Sequence, residues 1–180
     1  MPFTPTTEQR EPQMARYADG PTTEADIVIH ASIGQLWRLV SDITTPVQFS
    51  EELQGVEWLD DSGPAVGARF RGRNAHDKVG EWESTSVVTR YEPEAVFEWT
   101  LGDVDYPAAR WRFNLEPSDA GVTLTFSAQI GPGRSGLSPA IEAMPDKEER
   151  IVERRLAEHR ANMMKTLEGI KALAEAQVQP

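Results

Sequence analysis

Between Gly55 and Ile130 the apolar side chains recur at every second position, the period of a half-buried strand. Six strands fit this pattern: Val56–Asp60, Ala68–Ala75, Gly80–Tyr91, Ala95–Leu101, Arg110–Glu116 and Val122–Ile130. The segments between them carry turn chemistry, as in Asp61-Ser62-Gly63-Pro64, Glu92-Pro93-Glu94 and Pro117-Ser118-Asp119-Ala120-Gly121. Successive strands are therefore expected to pair as antiparallel hairpins. An earlier strand, Asp26–Ala31, runs into Ser32-Ile33-Gly34-Gln35, an N-cap serine with glutamine three residues on. Ile33, Leu36, Trp37 and Val40 then follow helical spacing, and Pro46 interrupts before a second short helix over Val47–Leu53. After the strands, Asp146 opens a long helix with Glu149 at the capping-box position and Val152, Leu156, His159, Met163, Leu167, Ile170 and Ala174 along one face. The pattern predicts an α+β domain in which the sheet buries one face under the last helix. A curved sheet around a single helix leaves a cavity between them unless large side chains fill it.

Side-chain parity says what would face that cavity. Phe97 and Trp99, Trp111 and Phe113, and Phe126 alternate with polar neighbours and are assigned inward. Phe70 and Asn74 alternate with Arg69, Arg71 and Arg73, so the arginines go outward. Trp82, Ser84 and Ser86 alternate with Glu81 and Glu83 in the same way. His159 and Met163 face the sheet from the helix. The candidate ligand-binding set is thus Phe70, Asn74, Trp82, Ser84, Phe97, Trp99, Trp111, Phe113, Phe126, His159 and Met163. It is an aromatic surface with a few neutral polar groups, suited to a planar or lipid-like apolar molecule. If the cup is catalytic, His159 is the candidate acid or base and Asn74 the group that holds a carbonyl. On the outer face, aligned registers would pair Arg71 with Glu83 and Glu98 with Arg112.

Composition narrows the partners. Lys plus Arg number 18 against 29 Asp plus Glu, a net charge of −11, the wrong sign for counterion-release binding to nucleic acid. The long helix holds seven acids and seven bases, so the acidity belongs to the sheet and the first residues. There is no Cys, which excludes disulfides, thiolate metal sites and cysteine nucleophiles and points to a reducing cytoplasm. His30, His76 and His159 stand without ligand-spaced partners, and no metal or other cofactor is expected. Gly131-Pro132-Gly133-Arg134-Ser135-Gly136 matches a dinucleotide-binding pattern in letters only. Leu137-Ser138-Pro139 follows in place of a strand-helix-strand unit, so the segment is assigned as a flexible connection that could cover a cavity mouth. No apolar run is long enough to span a membrane. Residues 1–22, polar and proline-bearing, are expected to be a disordered arm, 23–176 the ligand-binding domain and 177–180 a tail.

In combination, Gly67-Ala68-Arg69-Phe70-Arg71-Gly72-Arg73-Asn74, Gly80-Glu81-Trp82, Val96-Phe97-Glu98-Trp99, Trp111-Arg112-Phe113 and Gly121-Val122-Thr123-Leu124-Thr125 resemble the polyketide cyclase/dehydrase and lipid-transport family of the START-related helix-grip (SRPBCC) superfamily. Ile29-His30-Ala31-Ser32 before Leu36-Trp37-Arg38-Leu39-Val40 fits its first strand and helix, with Ser32 where proline is common. The resemblance implies a seven-stranded antiparallel sheet curled around the C-terminal helix, with two short helices after the first strand and a hydrophobic pocket inside. It implies two functional expectations, carriage of a hydrophobic or aromatic small molecule or aldol condensation or dehydration of a polyketide; the rival from another class is a protein-interaction role of the chaperone-stimulating kind, which would use an outer surface. A homodimer is compatible with each.

Overall fold

The computed structural model describes residues 15–61 and 63–176. Strand β1 (Thr22–Ile29) is followed by helix α1 (Ile33–Val40), then β2 (Leu53–Trp58), β3 (Arg69–His76), β4 (Gly80–Glu92), β5 (Val96–Gly102), β6 (Pro107–Ser118) and β7 (Gly121–Ile130). A short helix α2 (Ser138–Ala143) and the long helix α3 (Glu148–Ala176) complete the chain. The seven strands form one antiparallel sheet in the order β1-β7-β6-β5-β4-β3-β2, so every neighbour except β1–β7 is a sequential hairpin. This is the helix-grip arrangement that the family resemblance implies. With 29 residues, α3 extends about 44 Å at the usual rise.

Local chemistry accounts for most boundaries. The Ser32 hydroxyl accepts from the Gln35 amide at 3.2 Å while Gln35 returns the bond, a complete capping box that starts α1. Leu36, Trp37 and Val40 of α1 enter the core with Ile29, Phe97, Phe113, Leu124, Leu167 and Ile170. At its centre Phe113 and Phe126 stack with ring centroids 4.1 Å apart.

Several boundaries differ from the expectation. The second short helix is a single 3-10 turn at Thr45–Gln48 with Pro46 in its first turn, and Leu53 already belongs to β2, paired with Asn74. The first strand begins at Thr22 and not Asp26, because its polar half pairs with β7 from Gln129 onward. The long helix opens at Glu148, after a 3-10 turn over Pro145–Lys147. Within the connection expected to be flexible, α2 forms with Pro139 in its first turn. Of the arm expected over 1–22, residues 1–14 lie outside the described residues, as does the tail 177–180. Residues 15–21 are held in place: Tyr17 is buried, its hydroxyl donates to the Gly133 carbonyl at 2.7 Å and its amide donates to Glu148 Oε1 at 2.9 Å.

The outer face carries the expected Glu98–Arg112 pair, with Nε to Oε2 at 2.7 Å. Glu98 is only 4% exposed, because Arg112, Arg110 at 3.9 Å and the Thr89 hydroxyl at 2.9 Å close over it. Arg71 and Glu83 approach only to 3.9 Å and diagonally, since the register sets Arg71 opposite Thr85 and Arg73 opposite Glu83. Arg71 lies nearer Glu57, at 3.5 Å.

Candidate functional site

The inner face of the sheet and the end of α1 enclose a cavity of about 130 Å³. Its aromatic wall comes from β5 and β6: Phe97, Trp99, Trp111 and Phe113 are contributed by alternate positions of two strands in register, Phe97 facing Phe113 and Trp99 facing Trp111. The adjoining strands β3 and β4 add Phe70, Asn74, Trp82, Ser84 and Ser86 to the lining. Val40 at the end of α1, Ile43 and Pro46 after it, and Leu53 and Val56 of β2 complete the lining. Among the described residues, none of the side chains lining the cavity is charged.

Gly72 shapes the polar wall. It sits opposite Ser84 in the ladder, and a Cβ there would come within 3.2 Å of the Ser84 hydroxyl and 3.3 Å of Leu53. Its missing side chain lets Leu53, Asn74 and Ser84 close in around this position. The Asn74 amide nitrogen donates to Ser84 Oγ at 3.2 Å and to the Gly72 carbonyl at 3.4 Å.

Eight of the candidate residues are brought together on the cavity: Phe70, Asn74, Trp82, Ser84, Phe97, Trp99, Trp111 and Phe113. Three are not. Phe126 packs behind Phe113 and Trp111, and Met163 is 1% exposed within the core. His159 is also set apart: it is 7% exposed and its ring meets Trp111 edge-on, centroids 4.9 Å apart, so Trp111 stands between it and the space. Burial, with a smaller contribution from the Arg155 charge, pushes His159 down to about 3, which keeps it neutral near pH 7. The ring is thus outside the cavity lining and uncharged near pH 7. Parity also overlooked Val40, Ile43, Pro46 and Leu53. The signal for Val40 was present in the α1 stripe, but Ile43 and Pro46 lie in the aperiodic stretch before the expected second helix and Leu53 at the end of that helix.

Among the described residues, no group of three or more His, Asp or Glu is arranged to hold a metal. Nor is any helix among them long and apolar enough to cross a membrane.

A curved antiparallel sheet gripping one long helix over an aromatic cup defines a helix-grip domain of the hydrophobic-ligand-binding type. The chain belongs to the polyketide cyclase/dehydrase and lipid transport family, whose model matches residues 21–173. The solution structure of a polyketide-cyclase-like protein from Corynebacterium glutamicum is similar at 34% identity and a TM-score of 0.62, covering 88% of this chain and 93% of that one. The di-domain ARO/CYC StfQ of the steffimycin biosynthetic pathway matches at 12% identity and a TM-score of 0.66, over 87% of this chain and 51% of StfQ. A protein from Thermus thermophilus matches at 14% identity and a TM-score of 0.61, covering 88% of this chain and all of that one. The latter two establish the fold alone. Comparison with curated protein sequences finds no match.

Proposed function

We propose that this protein binds a neutral, apolar or aromatic small molecule inside the cup. The observation that carries this reading is a cavity walled by Phe70, Trp82, Phe97, Trp99, Trp111 and Phe113 with polar contributions from uncharged groups alone. At about 130 Å³ it is close to the roughly 150 Å³ that accommodates a benzene-sized molecule and well below the ~300 to 1,000 Å³ of drug-sized sites. One aromatic ring fits the cup at rest, and a larger ligand requires the walls to part. Native mass spectrometry and Trp emission, recorded with palmitate, flavone and anthraquinone up to their solubility limits, test the reading. A one-to-one complex with at least one of them supports it, and no complex with any of them, nor with a single-ring aromatic, overturns it.

A second reading, cyclisation or dehydration of a polyketide, is favoured by the family match and by the likeness to an ARO/CYC. The placement of His159 behind Trp111 weighs against acid/base chemistry in the cup, as does the use of the Asn74 amide N–H on Ser84 and Gly72 rather than on a substrate carbonyl. A chaperone-type interaction surface has less support. The large apolar side chains most exposed among the described residues, Val66, Val79, Val104, Tyr106 and Met144, sit in connections between elements and not on the outer sheet face.

A further inference from the structure

The amide and hydroxyl side chains of the cup, Asn74, Ser84 and Ser86, all lie on β3 and β4, and the hydrogen bonds of Asn74 have a direction. The Gly72 carbonyl can only accept, so the Asn74 atom 3.4 Å from it is the amide nitrogen. The same nitrogen donates to Ser84 Oγ. Two groups are left over. Asn74 Oδ1 has no donor among the described residues, and the Ser84 proton has no acceptor among them. Two residues along β4, about 7 Å away, Ser86 also lines the cavity. It is 2% exposed, and its hydroxyl makes no hydrogen bond with any described residue. Arg110 Nε is the one buried side-chain polar atom without a partner among the described residues, so the Ser86 hydroxyl is open to the cavity and free to pair with whatever occupies it.

We propose that Asn74, Ser84 and Ser86 form a recognition strip for a hydroxyl-bearing aromatic ligand, a phenol or an enol. The inference rests on the cup being the ligand site and adds which ligand it takes. A ligand O–H can donate to Asn74 Oδ1 and accept from a serine hydroxyl at once. An ether or ketone offers only an acceptor and leaves Oδ1 unpaired. A carboxylate has no cation among the lining residues to offset its desolvation. Gly72, opposite Ser84, sets no side chain between that hydroxyl and the cavity, and the Trp99 and Trp111 wall receives the ring.

Four single-ring probes separate these cases: p-cresol, p-xylene with a methyl in place of the hydroxyl, 4-methylanisole and 4-methylbenzoate. They are titrated into isotope-labelled protein while the amide resonances of β3 to β6 are followed, for wild type and for Ser84→Ala, Ser86→Ala and their combination. Each variant is first checked for an unchanged fold by its spectrum. The expected result is that wild type binds p-cresol more tightly than the other three. The double variant should shift the p-cresol to p-xylene affinity ratio roughly tenfold toward p-xylene, the loss of one to two neutral hydrogen bonds. If both ligands bind and the ratio is the same in wild type and variants, the strip is refuted while the apolar cup stands. If no probe moves the cavity-wall amides, the cup itself is refuted and the strip with it.

Discussion

Protonation of His159 should be among the most costly single events this fold can undergo, and its cost has a definite sign with pH. The ring is 7% exposed, edge-on to Trp111 and pushed from an ordinary 6.5 to about 3 by burial first and the Arg155 charge second. A histidine whose value is lowered on folding favours the unfolded chain whenever protons are available. Its stabilising contribution is complete above about pH 6.5 and is lost progressively as the pH falls toward about 3. Between about pH 7 and about pH 5 the unfolded chain takes up nearly one proton at this position and the folded chain almost none, which linkage converts to about 2 kcal/mol. For a domain of this size that corresponds to roughly 4 to 8 °C in Tm. The measurement is urea unfolding at the two pH values for wild type, His159→Phe and His159→Gln. Carboxylates contribute their own pH dependence equally to all three, so the difference between wild type and variants isolates the histidine. Wild type should lose about 2 kcal/mol more than either variant on acidification. Equal losses, or a His159 ring resonance that titrates near 6.5 in the folded protein, would refute the buried neutral assignment.

Three other perturbations test the scaffold. Arg112→Ala should destabilise by about 1 to 3 kcal/mol, because it strips Glu98 of its main partner, whereas Glu98→Leu should cost less, since Arg112 is exposed enough to be solvated and Arg110 Nε is buried without a hydrogen-bond partner among the described residues even with Glu98 present; thermal melts giving the reverse order would contradict this. Gly169→Ala, which in an exposed helix would gain about 1 kcal/mol, should here lose about 1 to 2 because the new methyl falls on the Phe49 ring; urea unfolding decides the sign. Tyr17→Phe removes the hydroxyl that donates to Gly133 and should cost about 1 kcal/mol in the same assay, with faster amide exchange over 15–21 as its local signature.

Much of the fold was legible because it is periodic. Alternation located β3 to β7, and the 3-and-4 spacing of Leu36, Trp37 and Val40 located α1, since a residue's facing in a regular element depends only on its neighbours' dihedral angles. The stretch from Val47 to Leu53 was misread as helix because Pro46 sets a single 3-10 turn, Thr45–Gln48, whose length no periodicity can register. The segment after β7 was misread as flexible because α2 is six residues long, with its stability coming from packing of Leu137 and Ile141 near Tyr17 and Val152. That packing depends on contacts far apart in sequence.

The site was legible to one layer and no deeper. Parity separates the two faces of a strand, and it placed Trp99, Trp111 and Ser84 on the cup correctly. It cannot separate an inward residue that borders empty space from one that borders another inward residue, because that depends on how closely α3 presses into the sheet. Phe126, Met163 and His159 all point inward and all lie behind the first layer, with Phe126 stacked on Phe113 and His159 against Trp111. The volume they occupy is volume the cup does not have, which is why so aromatic an interior encloses only about 130 Å³. The same packing relocates the chemistry. With its one inward histidine sealed behind Trp111, what remains at the cavity surface is Asn74, Ser84 and Ser86, groups suited to orienting a ligand by hydrogen bonds and poorly suited to moving its protons.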